Sequence, residues 1–148
     1  MNKFFLLIAI LFTSCGTTAT NSTHNLQENT VINKAGKYFS KQRNVLLDIK
    51  TVDGLVRFEV YDSTNKKLVE LCNSAIASDY QGWYFMLDTN SNLWFHSSDI
   101  GETLMLWQPA THNYLCHPLW PHDSFDKIMP KNFFDAMPSS AQQYHKNQ

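Results

Sequence analysis

The residue types best equipped for chemistry gather in the last third of the chain. His112, His117 and His122 recur every five residues, with Asp123 beside the last. Imidazoles and a carboxylate are ligands that zinc or copper would accept. An interval of five, however, shares neither a helix face nor a strand face, so these read as scattered loop histidines. Cys116 adjoins His117, the residue types of a thiol nucleophile and its base. Neighbours in a strand point to opposite faces, which argues against that pair. Glu59, Glu70, Asp88, Asp99 and Glu102 alternate with apolar residues or sit in turns. A glycosidase needs two facing carboxylates at a set separation, and nothing in the sequence pairs two of these. The chain has no Gly-rich phosphate loop, HExxH, GxSxG or CxxC. No catalytic residue, metal ligand or cofactor is assigned.

The aromatic residues are the other candidates, at 14% of the chain. Trp83-Tyr84-Phe85 and Leu93-Trp94-Phe95 place rings on both faces of what reads as a hairpin. One face must be core. The other either lies under loops or a helix, or forms an open platform for a protein partner or a sugar ring. A period of two alone does not decide between these. Trp94 shares its face with the polar His96, so it is expected to be partly exposed. Tyr84, Trp94 and His96 therefore make the candidate binding surface, with Trp94 as anchor. Phe95 and Leu93 point the other way, into the core.

The elements that must position these residues read as strands. Val45–Val52 and Leu55–Tyr61 flank Asp53-Gly54, the strongest short-range hairpin signal, because a type I′ turn needs positive φ at both central residues. Val56, Phe58 and Val60 share one face of the second run, and Arg57 and Glu59 the other. Lys67–Cys72 is a further strand candidate, and Ala75-Ile76-Ala77 a single helical turn. Trp83–Asp88 and Asn92–Ser97 flank Thr89-Asn90-Ser91, a second hairpin. Thr103–Gln108 and Tyr114–His117 complete the set. This spacing predicts a mainly β domain, a small antiparallel sandwich or barrel, over residues 37–138. The same range ends in a short C-terminal helical segment: Asp123-Ser124 could cap a turn through Ile128, and Pro130 suits the first turn of a helix carrying Phe133, Phe134 and Met137. Residues 139–148 read as a polar, fraying tail.

The amino terminus has a separate logic. Lys3 precedes the unbroken apolar run Phe4–Phe12, which ends in Thr13-Ser14-Cys15-Gly16. A charged start, a short apolar run and small residues are the layout of a secretory signal peptide. The run is too short for a permanent span, which needs about 20 apolar residues. Leu11-Phe12-Thr13-Ser14-Cys15 resembles the lipobox of bacterial lipoproteins. The resemblance implies removal of residues 1–14 as signal peptide, acylation of Cys15 and anchoring in the cell envelope. Gly16 in place of Asp favours the periplasmic face of the outer membrane. The competing reading is an ordinary secretory signal cut after Cys15 or Gly16, which would leave the protein secreted. Residues 15–36, rich in Thr and Asn at their start, read as a flexible, lipidated tether.

Removing residues 1–14 leaves 134 residues, one domain's worth. Losing Lys3 takes the formal charge from −1 to −2, so nothing electrostatic favours nucleic acid. With Cys15 assigned to lipid, Cys72 and Cys116 remain as an even pair in an oxidising compartment, and a disulfide is the favoured reading over two buried thiols. The functional expectation is a lipid-anchored, non-catalytic binding protein of the envelope, of accessory, inhibitor or immunity type, contacting another envelope protein. A carbohydrate- or peptidoglycan-binding module and an envelope hydrolase with an unrecognised site are the alternatives. An exposed aromatic row would favour the glycan module, a flat apolar patch the protein binder, and a pocket holding His with a carboxylate the enzyme.

Overall fold

A computed structural model describes residues 22–70, 77–118 and 129–146. The signal segment, Cys15, Cys72, His122, Asp123 and the turn expected through Ile128 lie outside the described residues. The described chain forms ten strands and two helices: β1 (Thr23–Asn25), β2 (Val31–Ile32), β3 (Gly36–Ser40), β4 (Val45–Val52), β5 (Leu55–Asp62), β6 (Ala77–Ser78), β7 (Trp83–Leu87), β8 (Leu93–Ser97), β9 (Gly101–Gln108), β10 (Asn113–Pro118), α1 (Lys131–Ala136) and α2 (Ser139–Lys146).

The strands build two sheets, ordered β1-β3-β4-β5-β6 and β10-β9-β8-β7-β2. Each is a meander of antiparallel neighbours, except that β1 runs parallel to β3. The arrangement is sandwich-like and not a closed barrel. Asp53 and Gly54 both take positive φ, 53° and 74°, at the β4–β5 turn, as the Asp-Gly signal requires. Val45, Leu47 and Ile49 of β4 and Val56 and Val60 of β5 face Phe85, Leu87, Leu93, Phe95 and Met105 of the other sheet in one core. Phe58 adds its ring edge to Phe85 with centroids 4.9 Å apart. This is the period of two turned into a sandwich interior.

The other face of the second sheet is also apolar, and the helices cover it. Met86, Trp94 and Leu104 lie in one cross-strand row and pack with Phe133 and Met137 in a separate cluster. The molecule is thus three layers: sheet, sheet, helices. Trp94, expected to be partly exposed, is 2% exposed. Its ring meets Phe133 at 5.9 Å, and its indole Nε1–H donates to Asp88 Oδ2 at 2.9 Å. The open aromatic platform is therefore not formed, because the C-terminal helices bury more area by lying on these rings than the rings could leave in water.

Three other expectations are corrected. The tether does not extend to residue 36: β1 and β2 pair with β3 and β7, and Leu26 is buried in the main core. The tail at 139–148 is not simply frayed: Ser139–Lys146 is helical and His145 is buried. Residues 67–70 contribute only a bridge, Tyr61 to Lys67, and Ala77 belongs to β6 rather than to a helical turn. Leu68 and Val69 are nonetheless core residues, and the Leu68 carbonyl accepts from the Tyr114 amide at 3.3 Å. This segment therefore ties the first sheet to the second along one side.

Candidate functional site

Hairpin register creates the most chemically loaded place in the described molecule. The β8–β9 turn pairs Ser97 with Gly101, which sets His96 directly across from Glu102. The β7–β8 pairing sets Tyr84 beside His96. Tyr84, His96 and Glu102 thus form a polar row on the helix-covered face, one step along from the apolar row of Met86, Trp94 and Leu104. Helix α2 then brings His145 down onto Glu102. Glu102 Oε1 accepts from His96 Nδ1 at 2.8 Å and from His145 Nε2 at 3.1 Å.

The electrostatics of this triad are those of a shared, ionised carboxylate. Burial by itself pushes the Glu102 carboxyl up, and the hydrogen bonds and charge of the two imidazoles outweigh it and hold it below its ordinary range. A carboxylate only accepts, so each imidazole presents an N–H to it. For His96 that places a proton on Nδ1. Its Nε2 is buried and has no hydrogen-bond partner among the described residues. The Tyr84 ring stacks on the His96 ring at 5.8 Å and 19°, so the ring is held on one face by packing and at Nδ1 by hydrogen bonding. A carboxylate–imidazole pair with a fixed tautomer can orient a bound group or accept a proton from it.

Two aspartates brace the hairpins around the site. Asp88 Oδ1 accepts from the Asn90 and Asn92 amides, both at 2.8 Å, and Oδ2 from Asn92 Nδ2 and Trp94 Nε1. Asp99 Oδ1 accepts from the buried Ser97 hydroxyl, and Oδ2 from the Ser78 amide at 2.9 Å. Burial pushes the Asp99 carboxyl up, but these donors outweigh that and lower it.

A second feature lies at one end of the sandwich. The Asp79 amide donates to Gly54 O, and Asp99 holds Ser78, so the β4–β5 turn, β6 and the β8–β9 turn converge there. Val52, Tyr80 and Ile100 are exposed at this end, Tyr80 by 89%.

Of the residues singled out from sequence, Tyr84 and His96 come together with Glu102, while Trp94 belongs to the adjoining apolar packing. His112 stands edge-on to Trp107 at 4.8 Å, and His117 is exposed on β10. Among the described residues no group of three or more His, Cys, Asp or Glu could hold a metal ion. Cys116, on β10, packs against the main core. Glu102 and His145 were missed. The signal for Glu102 lay in the register of the Ser97–Gly101 turn; for His145 the polar tail offered none. No helix among the described residues is long and apolar enough to cross a membrane. No protein-family model matches the chain, and neither does any curated protein or solved structure.

Proposed function

We propose that this chain is a lipid-anchored protein of the bacterial cell envelope, on the periplasmic face of the outer membrane, that binds another envelope protein rather than catalysing a reaction. The supporting observation is the exposed end carrying Tyr80, Val52 and Ile100. A nearly fully exposed tyrosine beside two exposed aliphatic side chains is the composition of an interface anchor. Among the described residues, Trp83, Phe85, Trp94 and Phe95 are spent on internal packing, which takes away the platform expected of a glycan module. With acylation at Cys15, eight positions before Thr23, the sandwich stays within about 26–29 Å of the bilayer at full extension. More than one acyl chain is needed for stable anchoring. Cys15→Ser should move the protein to the soluble fraction or leave it uncut; processing and fractionation like the wild type would end the anchored reading. A cross-linked protein held by the wild type and lost with Tyr80→Ala, at unchanged melting temperature, is the expected result for the binding role.

The Cys72–Cys116 disulfide belongs to the same proposal. Leu68 bonds to Tyr114, which sets the segment that leads to Cys72 beside the strand that carries Cys116. Alkylation of two thiols without reductant would refute it.

A second reading, an envelope hydrolase, draws on the His96–Glu102 pair as a general base acting through water. Loss of chromogenic ester hydrolysis in His96→Gln, with the fold intact, would favour it.

A further inference from the structure

Among the described residues no helix packs on the outer face of the first sheet; the helix layer lies on the second. Alternation turns the core side chains of β4 and β5 inward. The register then sets Lys37, Asp48 and Glu59 in one outward row and Phe39, Leu46 and Tyr61 in the next. Lys50 pairs with Arg57 on the other side of the charged row. Lys67, bridged to Tyr61, reaches Glu59 at 3.4 Å. We propose that this face lies against a membrane surface of anionic phospholipid, beside the root of the anchor.

Charge is the first argument for that occupant. The chain as a whole is at −1, yet this face sets Lys37, Lys50, Arg57 and Lys67 against only Asp48 and Glu59. The carboxylates also lie deeper: the Lys50 side chain is 51% exposed and sits 3.1 Å from Asp48, which is 10% exposed. Lys50 and Lys67 answer these acids, while Lys37 and Arg57 have no carboxylate partner among the described residues. The face therefore presents cations to its surroundings. Carboxylates gather instead at the Tyr80 end, at Asp53, Asp79 and Asp99. An anionic surface is drawn to the lysine face and repelled from that end, which stays open to a protein partner. Position is the second argument. β1 is the edge strand of this sheet, and Thr23 pairs with Lys37. The chain ahead of β1, which carries Cys15, thus joins the domain beside the cations. A basic face next to an acyl chain is the second signal that stable anchoring uses, and a half-buried tyrosine such as Tyr61 suits headgroup level. An acidic protein would match the charges but gives no reason for them to sit at the root of the anchor. The membrane setting rests on the anchored reading; the lipid affinity of the face does not.

The test uses the mature chain from residue 15 with Cys15→Ser, so that no acyl chain contributes. Co-sedimentation measures its partition onto vesicles of phosphatidylcholine alone, or mixed in equal parts with phosphatidylglycerol. Each cation held at an anionic surface strengthens partition about fivefold, so an excess of two should favour the mixed vesicles about 30-fold, and high salt should erase the difference. Lys37→Gln with Arg57→Gln removes that excess and should abolish the preference at an unchanged melting temperature. Lys131→Gln with Lys146→Gln removes the same charge from the helix layer on the opposite side and should keep most of the preference. Equal partition onto both vesicles, equal loss in the two double variants, or no loss in the folded Lys37→Gln/Arg57→Gln protein would each overturn the proposal. So would tighter binding of poly-L-glutamate or polygalacturonate than of the mixed vesicles, which would assign the face to an acidic protein or an acidic glycan. Wild-type fractionation of Cys15→Ser in cells, with the vesicle preference intact, would end the anchored reading and uphold the lipid face.

Discussion

Truncation of Trp94 separates a three-layer molecule from a bare two-layer sandwich. In two layers the Trp94 side chain would stand in water and its removal would cost almost nothing. In the structure it is 2% exposed, lies on Phe133 and donates to Asp88. Removing a buried aromatic to alanine costs about 3–5 kcal/mol. The lost hydrogen bond adds little, because Asp88 Oδ2 keeps Asn92 Nδ2 at 3.1 Å and so is not stranded without a donor. For a domain of this length each kcal/mol shifts the melting temperature by about 4 °C, so Trp94→Ala should melt about 12–20 °C below the wild type. Trp94→Phe keeps a ring against Phe133 and loses the indole N–H and some area, about 1–2 kcal/mol, or about 4–8 °C. Leu115→Ala, at a side chain 56% exposed on β10, is the control and should stay within about 0.5 kcal/mol of the wild type. Differential scanning calorimetry on the three variants reads all of this. If Trp94→Ala melts within about 3 °C of the wild type, the helices do not cover this face and the reasoning fails.

Leu26→Ala should cost about 2–5 kcal/mol in urea unfolding, because Leu26 is 3% exposed in the main core; a cost near zero would restore the long tether. Asp88→Ala strands the Asn90 and Asn92 amides and Trp94 Nε1 and should destabilise by about 2–4 kcal/mol, seen as a lower denaturation midpoint at an unchanged slope. The Glu102 carboxyl titrates lower in the folded protein than its unfolded value of 4.5, so its contribution is present above that value and is lost as pH falls through the folded one. Glu102→Gln should therefore be less stable than the wild type at neutral pH and show a flatter loss in acid; parallel curves for the two proteins would refute the linkage.

The elements with turn chemistry were legible, and those held by tertiary contact were not. Asp53-Gly54 and Thr89-Asn90-Ser91 announced their hairpins because only certain residues tolerate positive φ; Ser91 takes φ 68°. The strands either side followed from alternation. β1 and β2 are three and two residues long, too short to show a period. They are recruited through backbone pairing and through Leu26, with Arg43 reaching Glu28 and the Thr89 carbonyl across the layers. Helix α2 is invisible for another reason. Its sequence is polar, and short helices without an apolar stripe are marginal alone. At the site, His96 was singled out as an exposed companion of Trp94, whereas both are buried. Glu102 looked like a solvated carboxylate because its partner lies across a turn whose register alternation did not specify.

The apolar and polar rows on the covered face explain why the helices dock as they do. Phe133 and Met137 meet Met86, Trp94 and Leu104, and burial of that area holds α1 on the sheet, with Asn132 donating to the Asn29 carbonyl. Beyond Met137 the helical residues turn polar, and the apolar row below gives way to Tyr84, His96 and Glu102. A polar helix gains little from burial, so it needs a specific contact to stay down, and His145 on Glu102 is such a contact among the described residues. The same bond presents a second imidazole to a carboxylate already committed to His96. Glu102 therefore takes part both in docking α2 and in holding the His96 ring. A substitution at Glu102 that loosened the helix would also release the ring of His96, so the two effects should appear together in that variant.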